Sequence, residues 1–224
     1  MERIIIPGPR TFIRYLYSIR WFLAIAVLVF LGAMIPGYLV AIYAHDTANQ
    51  LLSGLESKAQ TLTSQPPLQM MLGIFFNNAS GGFMALLFGL FAGLFPLFFI
   101  LTNGMVIGIM LELMIVKYGV AYGTLIFLVG VMPHGIFELP AIFISTAIGL
   151  KLGYEVVKAF LMALLPGKDP AGTRLENGLT NVSLEFWNGL MIFIFWVLPI
   201  LLVAALIETF VTGALLSLIV HTPI

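Results

Sequence analysis

One string in this 224-residue chain combines groups able to do chemistry with groups that break helices: Pro133-His134-Gly135-Ile136-Phe137-Glu138-Leu139-Pro140. On a continuous helix His134 and Glu138, four apart, share a face and can form a hydrogen-bonded ion pair. Pro140, however, cannot donate to the Ile136 carbonyl and clashes with it in a regular helix. The spacing therefore predicts a helix break at Pro133, Gly135 and Pro140, with Glu138 or a neighbour capping a new helix in which Pro140 is an early-turn residue. Three readings of the pair stand. Glu138 caps a helix end while His134 bonds a carbonyl or an asparagine, or the pair serves an ion or proton, or it holds a metal. A zinc-protease pattern needs a second histidine one turn away, which is missing, so no metal ligand set is assigned.

Other polar residues fall in equally apolar sequence. Glu112 is the expected partner of the His134–Glu138 pair from a neighbouring span, and Asn77, Asn78 and Asn103 complete a candidate intramembrane polar site. Glu208 ends the last apolar span or is buried in it. A charge at mid-bilayer costs about 2.5–3.5 kcal/mol on insertion scales, so each must be paired, protonated or wet. Nothing here reads as catalytic. His45 and His221 fall in outer segments, no serine sits in a nucleophile elbow, and Gly167-Lys168 lacks the spacing of a phosphate loop. The expectation is a non-enzyme without cofactor.

The elements that must position these residues follow from composition. The chain is 61% hydrophobic and 9% charged, with zero formal net charge and no cysteine. Soluble domains are about a quarter charged, and several runs here approach the ~20 apolar residues that cross a bilayer. The fold class is all-α: a polytopic transmembrane helix bundle of about five crossings with a broken fourth helix. Nucleic acid is not an expected partner; the lipid bilayer is.

Residues 1–20 form a basic amphipathic segment, with Arg3, Arg10, Arg14 and Arg20 around apolar residues after Pro7-Gly8-Pro9. By the positive-inside rule the N-terminus is cytoplasmic. Residues 21–224 form one transmembrane domain. Span one covers about 21–43, and an outer amphipathic helix at 46–63 follows, lying on the membrane, on its own protein or on a partner. Span two runs from about Leu72 to Leu101 and turns at Thr102-Asn103-Gly104. Span three is then only about 14 residues, with its outer turn at 117–123. The alternative moves that turn to Pro133–Pro140. Span four is over-long, about Thr124–Lys158, and Lys151, Lys158, Lys168 and Arg174 mark its cytoplasmic end. Span five, about Glu185–Ile207, is kinked at Pro199 and leaves the C-terminus outside. Small residues recur at four-residue spacing, at Ala85/Gly89/Gly93, Gly104/Gly108, Gly119/Gly123 and Gly149/Gly153, which predicts close helix packing and a homo-oligomer, a dimer being one form.

Three stretches carry a family resemblance: Phe76-Asn77-Asn78, the run through Pro96 to Asn103-Gly104, and above all Pro133 to Ala141 with its His-Gly-x-x-Glu-Leu-Pro string. Through them, and over most of residues 70–220, the chain resembles the stage II sporulation protein M family. The resemblance implies a polytopic, non-enzymatic membrane protein. In endospore formers the namesake is similar to a plasma-membrane scaffold that gathers peptidoglycan-cleaving partners at the engulfing septum. It implies no catalytic residues. The expected function is a membrane scaffold with membrane or surface protein partners. The alternative is an ion- or proton-linked transporter or channel with a polar midplane site at the helix break.

Overall fold

Charge-poor sequence with no water to satisfy its backbone must close every hydrogen bond within a segment, which leaves helices as the economical solution. In the computed structural model, which describes residues 8–44, 46, 48–50, 53, 61, 64–166 and 169–220, the elements are helical throughout. They are α1 (Pro9–Ser18), α2 (Arg20–Tyr43), α3 (Pro67–Leu87), α4 (Leu94–Tyr118), α5 (Val120–Leu164), α6 (Ala171–Ile192), α7 (Leu198–Ile207) and α8 (Gly213–Val220). Short wider-turn π segments, Phe193–Val197 and Glu208–Thr212, join α6 to α7 and α7 to α8. Among the described residues five helical runs are long and apolar enough to cross a membrane: Arg20–Tyr43, Pro67–Leu90, Leu94–Tyr118, Val120–Leu164 and Ala171–Leu216. The outer helix expected at 46–63 lies largely outside the described residues.

Three sequence expectations are corrected. The reversal between spans two and three is not at Thr102-Asn103-Gly104, which lie inside α4, but at Phe91–Gly93. There Ala92 and Gly93 both take positive φ, 54° and 74°, and Pro96 falls in the first turn of α4, where its missing N–H costs nothing. Span three consequently has 25 residues, enough to cross, instead of about 14. The fourth helix is not broken: α5 runs 45 residues with Pro133 and Pro140 inside it. Each proline removes one backbone bond, a loss membrane helices tolerate when neighbouring groups answer the freed carbonyl. The turn expected on the outer side falls at Gly119, φ 82°, within the 117–123 stretch. In span five Pro199 is accommodated by the preceding π turn at Phe193–Val197, a widening that spares a proline helix its i−4 clash.

The chain divides into two compact units. The first comprises Met1–Val27, Ser80–Ile100 and Ala141–Pro199. Here α3 and α5 approach backbone to backbone: a Cβ added to Gly149 would overlap the Ala85 carbonyl oxygen, and one on Gly89 would lie 2.6 Å from Gly149 Cα. A Cβ on Gly153 would lie 2.5 Å from Gly93 Cα. α5 and α6 pair antiparallel, Ile148 against Gly189 and Ala159 against Gly178. Helix α1 is docked, not free: Phe12 stacks on Trp196 with ring centroids 4.3 Å apart, and Ile19, which links α1 to α2, is fully buried.

The second unit comprises Leu28–Ala79, Leu101–Pro140 and Ile200–Ile224. Helices α2 and α4 run parallel through Gly104, set against the Phe30 carbonyl and 2.9 Å (to an added Cβ) from Ala33 Cβ, and Gly108, set against the Met34 carbonyl. Small residues at these crossings exchange side-chain volume for backbone proximity, the packing that lipid-embedded helices rely on in place of a hydrophobic drive.

Candidate functional site

In the second unit, α5 meets the segment from Glu208 to α8 in one antiparallel register. The Tyr122 hydroxyl donates to the Ile219 carbonyl at 2.9 Å, Leu216 faces Gly130, Thr212 meets His134, and Glu208 meets Glu138. Because α5 is unbroken, His134 and Glu138 stand one turn apart on one face, with His134 Nε2 3.9 Å from Glu138 Oε2. The π turn at Glu208–Thr212 brings Glu208 and Thr212 onto the facing surface. One ligand-type atom from each of His134, Glu138 and Glu208 lies within 4.8 Å of the others. The two α5 side chains keep 15% and 19% of their surface, so the group is neither sealed nor open.

The hydrogen bonds orient the ring. Thr212 Oγ1 donates toward the Ile207 carbonyl at 3.5 Å, which leaves its lone pairs for the 3.3 Å contact with His134 Nδ1. That network assigns the proton of a neutral imidazole to Nδ1. Nε2 then turns a lone pair toward two carboxylates, an arrangement that calls for a proton or a cation among the three.

Glu112 stands apart from this group. It is 7% exposed, its carboxyl accepts from the Tyr38 hydroxyl across the α2–α4 contact, and its Oε2 atom has no hydrogen-bond partner among the described residues. Asn77 donates to Asn78 Oδ1 at 3.1 Å on α3, Asn77 being exposed. Asn103 lies half-buried inside α4, where the sequence placed a turn. Of the helix-breaking residues, Gly135 is buried, yet a Cβ there would meet only Val131 and Leu139 of its own helix, at 3.6 and 4.0 Å. Gly89, Gly104, Gly108, Gly149 and Gly153 sit where two backbones approach closely, and Gly93, in the turn before α4, is the group Gly153 meets.

The first unit holds a polar constellation the sequence reading did not assemble. Lys151 Nζ lies 2.6 Å from Glu185 Oε2, and the Tyr15 hydroxyl donates to Glu185 Oε1 at 2.5 Å. The Lys151 ammonium also sits 5.4 Å from the centroid of the Tyr15 ring. Burial first, then the Glu185 charge and the hydrogen bond to it, raise the Tyr15 pKa well above its ordinary 10.0. Lys151 and Glu185 border a cleft of about 260 Å³ that also takes in Glu155, Lys158, Asn181 and Asn188. Lys151 was legible only as a flanking positive charge. The available signal was that Lys151 and Glu185 lie either side of a Pro-Gly turn at similar distance, the placement an antiparallel pair requires.

A family model described as Stage II sporulation protein M matches residues 26–213. No curated protein and no solved structure matches the chain. The matched stretch runs from α2 to the start of α8 and includes His134, Glu138, Glu208 and Thr212. A multi-pass helical membrane protein with that match belongs to the stage II sporulation protein M family.

Proposed function

We propose that this chain is a non-catalytic membrane assembly protein that gathers copies of itself and partner proteins on a helical hairpin held beyond the bilayer. One observation carries the reading. Helix α5 and the run from Ala171 to Leu216 have 45 and 46 residues, about 67–69 Å each at 1.5 Å per residue, against a hydrocarbon core of ~30 Å. Roughly half of each must lie outside the core. The α6 stretch is the polar one, with Arg174, Glu176, Asn177, Asn181 and Glu185, and it pairs with the Lys151–Ala159 part of α5.

Charge supports placing this hairpin in the cytoplasm. Arg10, Arg14, Arg20, Lys151, Lys158 and Arg174 fall in the first unit, whereas Lys117 is the basic residue among the described ones of the second. By the positive-inside rule that distribution supports a cytoplasmic N-terminus in a plasma-membrane protein. The hairpin offers a contact surface: Leu175 and Leu179, 38% and 56% exposed, line a groove of about 520 Å³ on α6. Apolar side chains in a polar helix are the expected mark of a docking face.

The test is assembly. In lipid nanodiscs, Leu175→Glu with Leu179→Glu should lower the mass or partner recovery seen by native mass spectrometry without unfolding the bundle. Unchanged assembly removes the proposal. The His134–Glu138–Glu208 group favours a second reading, ion- or proton-linked transport. That reading requires flux in proteoliposomes that Glu138→Gln abolishes, where the assembly reading expects none.

A further inference from the structure

We propose that His134, Glu138 and Glu208 bind a divalent first-row transition ion, with Thr212 as the residue that positions the imidazole. The inference goes beyond the assembly reading and holds whether or not an ion crosses the membrane. Three observations converge. The ligand-type atoms of the three side chains lie within 4.8 Å of one another, His134 Nε2 and Glu138 Oε2 being 3.9 Å apart. Ligands held at 2.0–2.2 Å from one ion at tetrahedral angles stand about 3.3–3.6 Å apart, so carboxylate swings of about 1 Å close the set.

The second observation is the ring orientation. Thr212 accepts at Nδ1 and leaves the Nε2 lone pair facing the carboxylates, the outer-shell arrangement that readies a histidine for metal. The third is charge. Glu138 and Glu208 lie in membrane-spanning helices, where each uncompensated charge costs about 2.5–3.5 kcal/mol. A shared proton neutralises one carboxylate, whereas a dication neutralises both. One imidazole nitrogen with carboxylate oxygens, and no thiolate, suits Zn²⁺, Mn²⁺ or Co²⁺ and not Cu⁺. Three protein ligands leave positions for water, consistent with the partial exposure of His134 and Glu138.

The experiment uses the full chain, purified in detergent and stripped with chelator. Zn²⁺ and Co²⁺ are titrated by calorimetry, and bound metal is counted after gel filtration. One equivalent per chain is expected, with a Co²⁺ visible spectrum of nitrogen and oxygen ligation. His134→Ala, Glu138→Gln and Glu208→Gln should each weaken binding at least ~100-fold. Thr212→Val should weaken it about 10–100-fold, the usual effect of losing an outer-shell partner. Glu112→Gln, which leaves the cluster intact, should bind as the parent does. Should a ligand variant fail to fold, Thr212→Val and the wild-type rise in melting temperature with Zn²⁺ still decide. No metal retained by the wild type, or equal loss in Glu112→Gln, overturns the proposal.

Discussion

Replacing Gly149 by alanine tests the packing most directly. The added methyl would overlap the Ala85 carbonyl oxygen and sit 3.0 Å from its carbon and 3.1 Å from Pro96 Cγ. Carbon–carbon contacts prefer 3.5–4.0 Å, so α3 and α5 must part by about 1 Å. A gap of that size forfeits up to about half of the ~0.1–0.2 kcal/mol per atom pair. Over a few tens of pairs the loss comes to about 2–4 kcal/mol. Alanine's better helix propensity returns at most ~1 kcal/mol, leaving a net loss of about 1–4 kcal/mol. The control is Gly135→Ala, whose methyl meets only its own helix at 3.6 Å or more and should be neutral or stabilising. Titration with SDS in mixed micelles, followed by far-ultraviolet circular dichroism, reads both, because Gly149 and Gly135 lie in different units and both units are helical. Identical midpoints for Gly149→Ala and Gly135→Ala would refute the close-approach account.

Two further outcomes follow from the Tyr15–Lys151–Glu185 group. Lys151→Ala strands the charge of Glu185, which is 7% exposed, and should cost about 3–5 kcal/mol, while Lys151→Met with Glu185→Leu and Tyr15→Phe, which leaves no buried donor without its acceptor, should recover most of it. The same denaturation assay checks both. For Tyr15, the folded pKa lies above the unfolded 10.0, so the folded chain holds a proton the unfolded chain releases. Its stabilising contribution is whole below pH 10 and declines as pH rises above 10. Tyr15→Phe should therefore be less stable than the parent at pH 8, and that difference should shrink as the pH rises above 10; a constant difference would contradict the assignment.

Sequence alone determined that the chain is an all-α, multi-pass membrane protein, because ~20-residue apolar runs and a charge content of 9% leave few other ways to satisfy a backbone in lipid. It also marked the small residues as contact points and His134 with Glu138 as a pair, since both depend on spacings of four that a helix converts into one face. Where the helices stop was decided by tertiary structure. Asn103-Gly104 has the composition of a turn, but Gly104 is used to admit α2 against α4, and the reversal falls at Ala92-Gly93 instead. Pro133 and Pro140 read as a break, yet the surrounding bundle keeps α5 whole, and that continuity places His134 and Glu138 side by side. Nor could spacing reveal Glu208 and Thr212 as their partners, or join Tyr15 to Glu185 across 170 positions. Such pairings depend on the register between helices, which is set by packing at many contacts at once and is written in no single stretch of the chain.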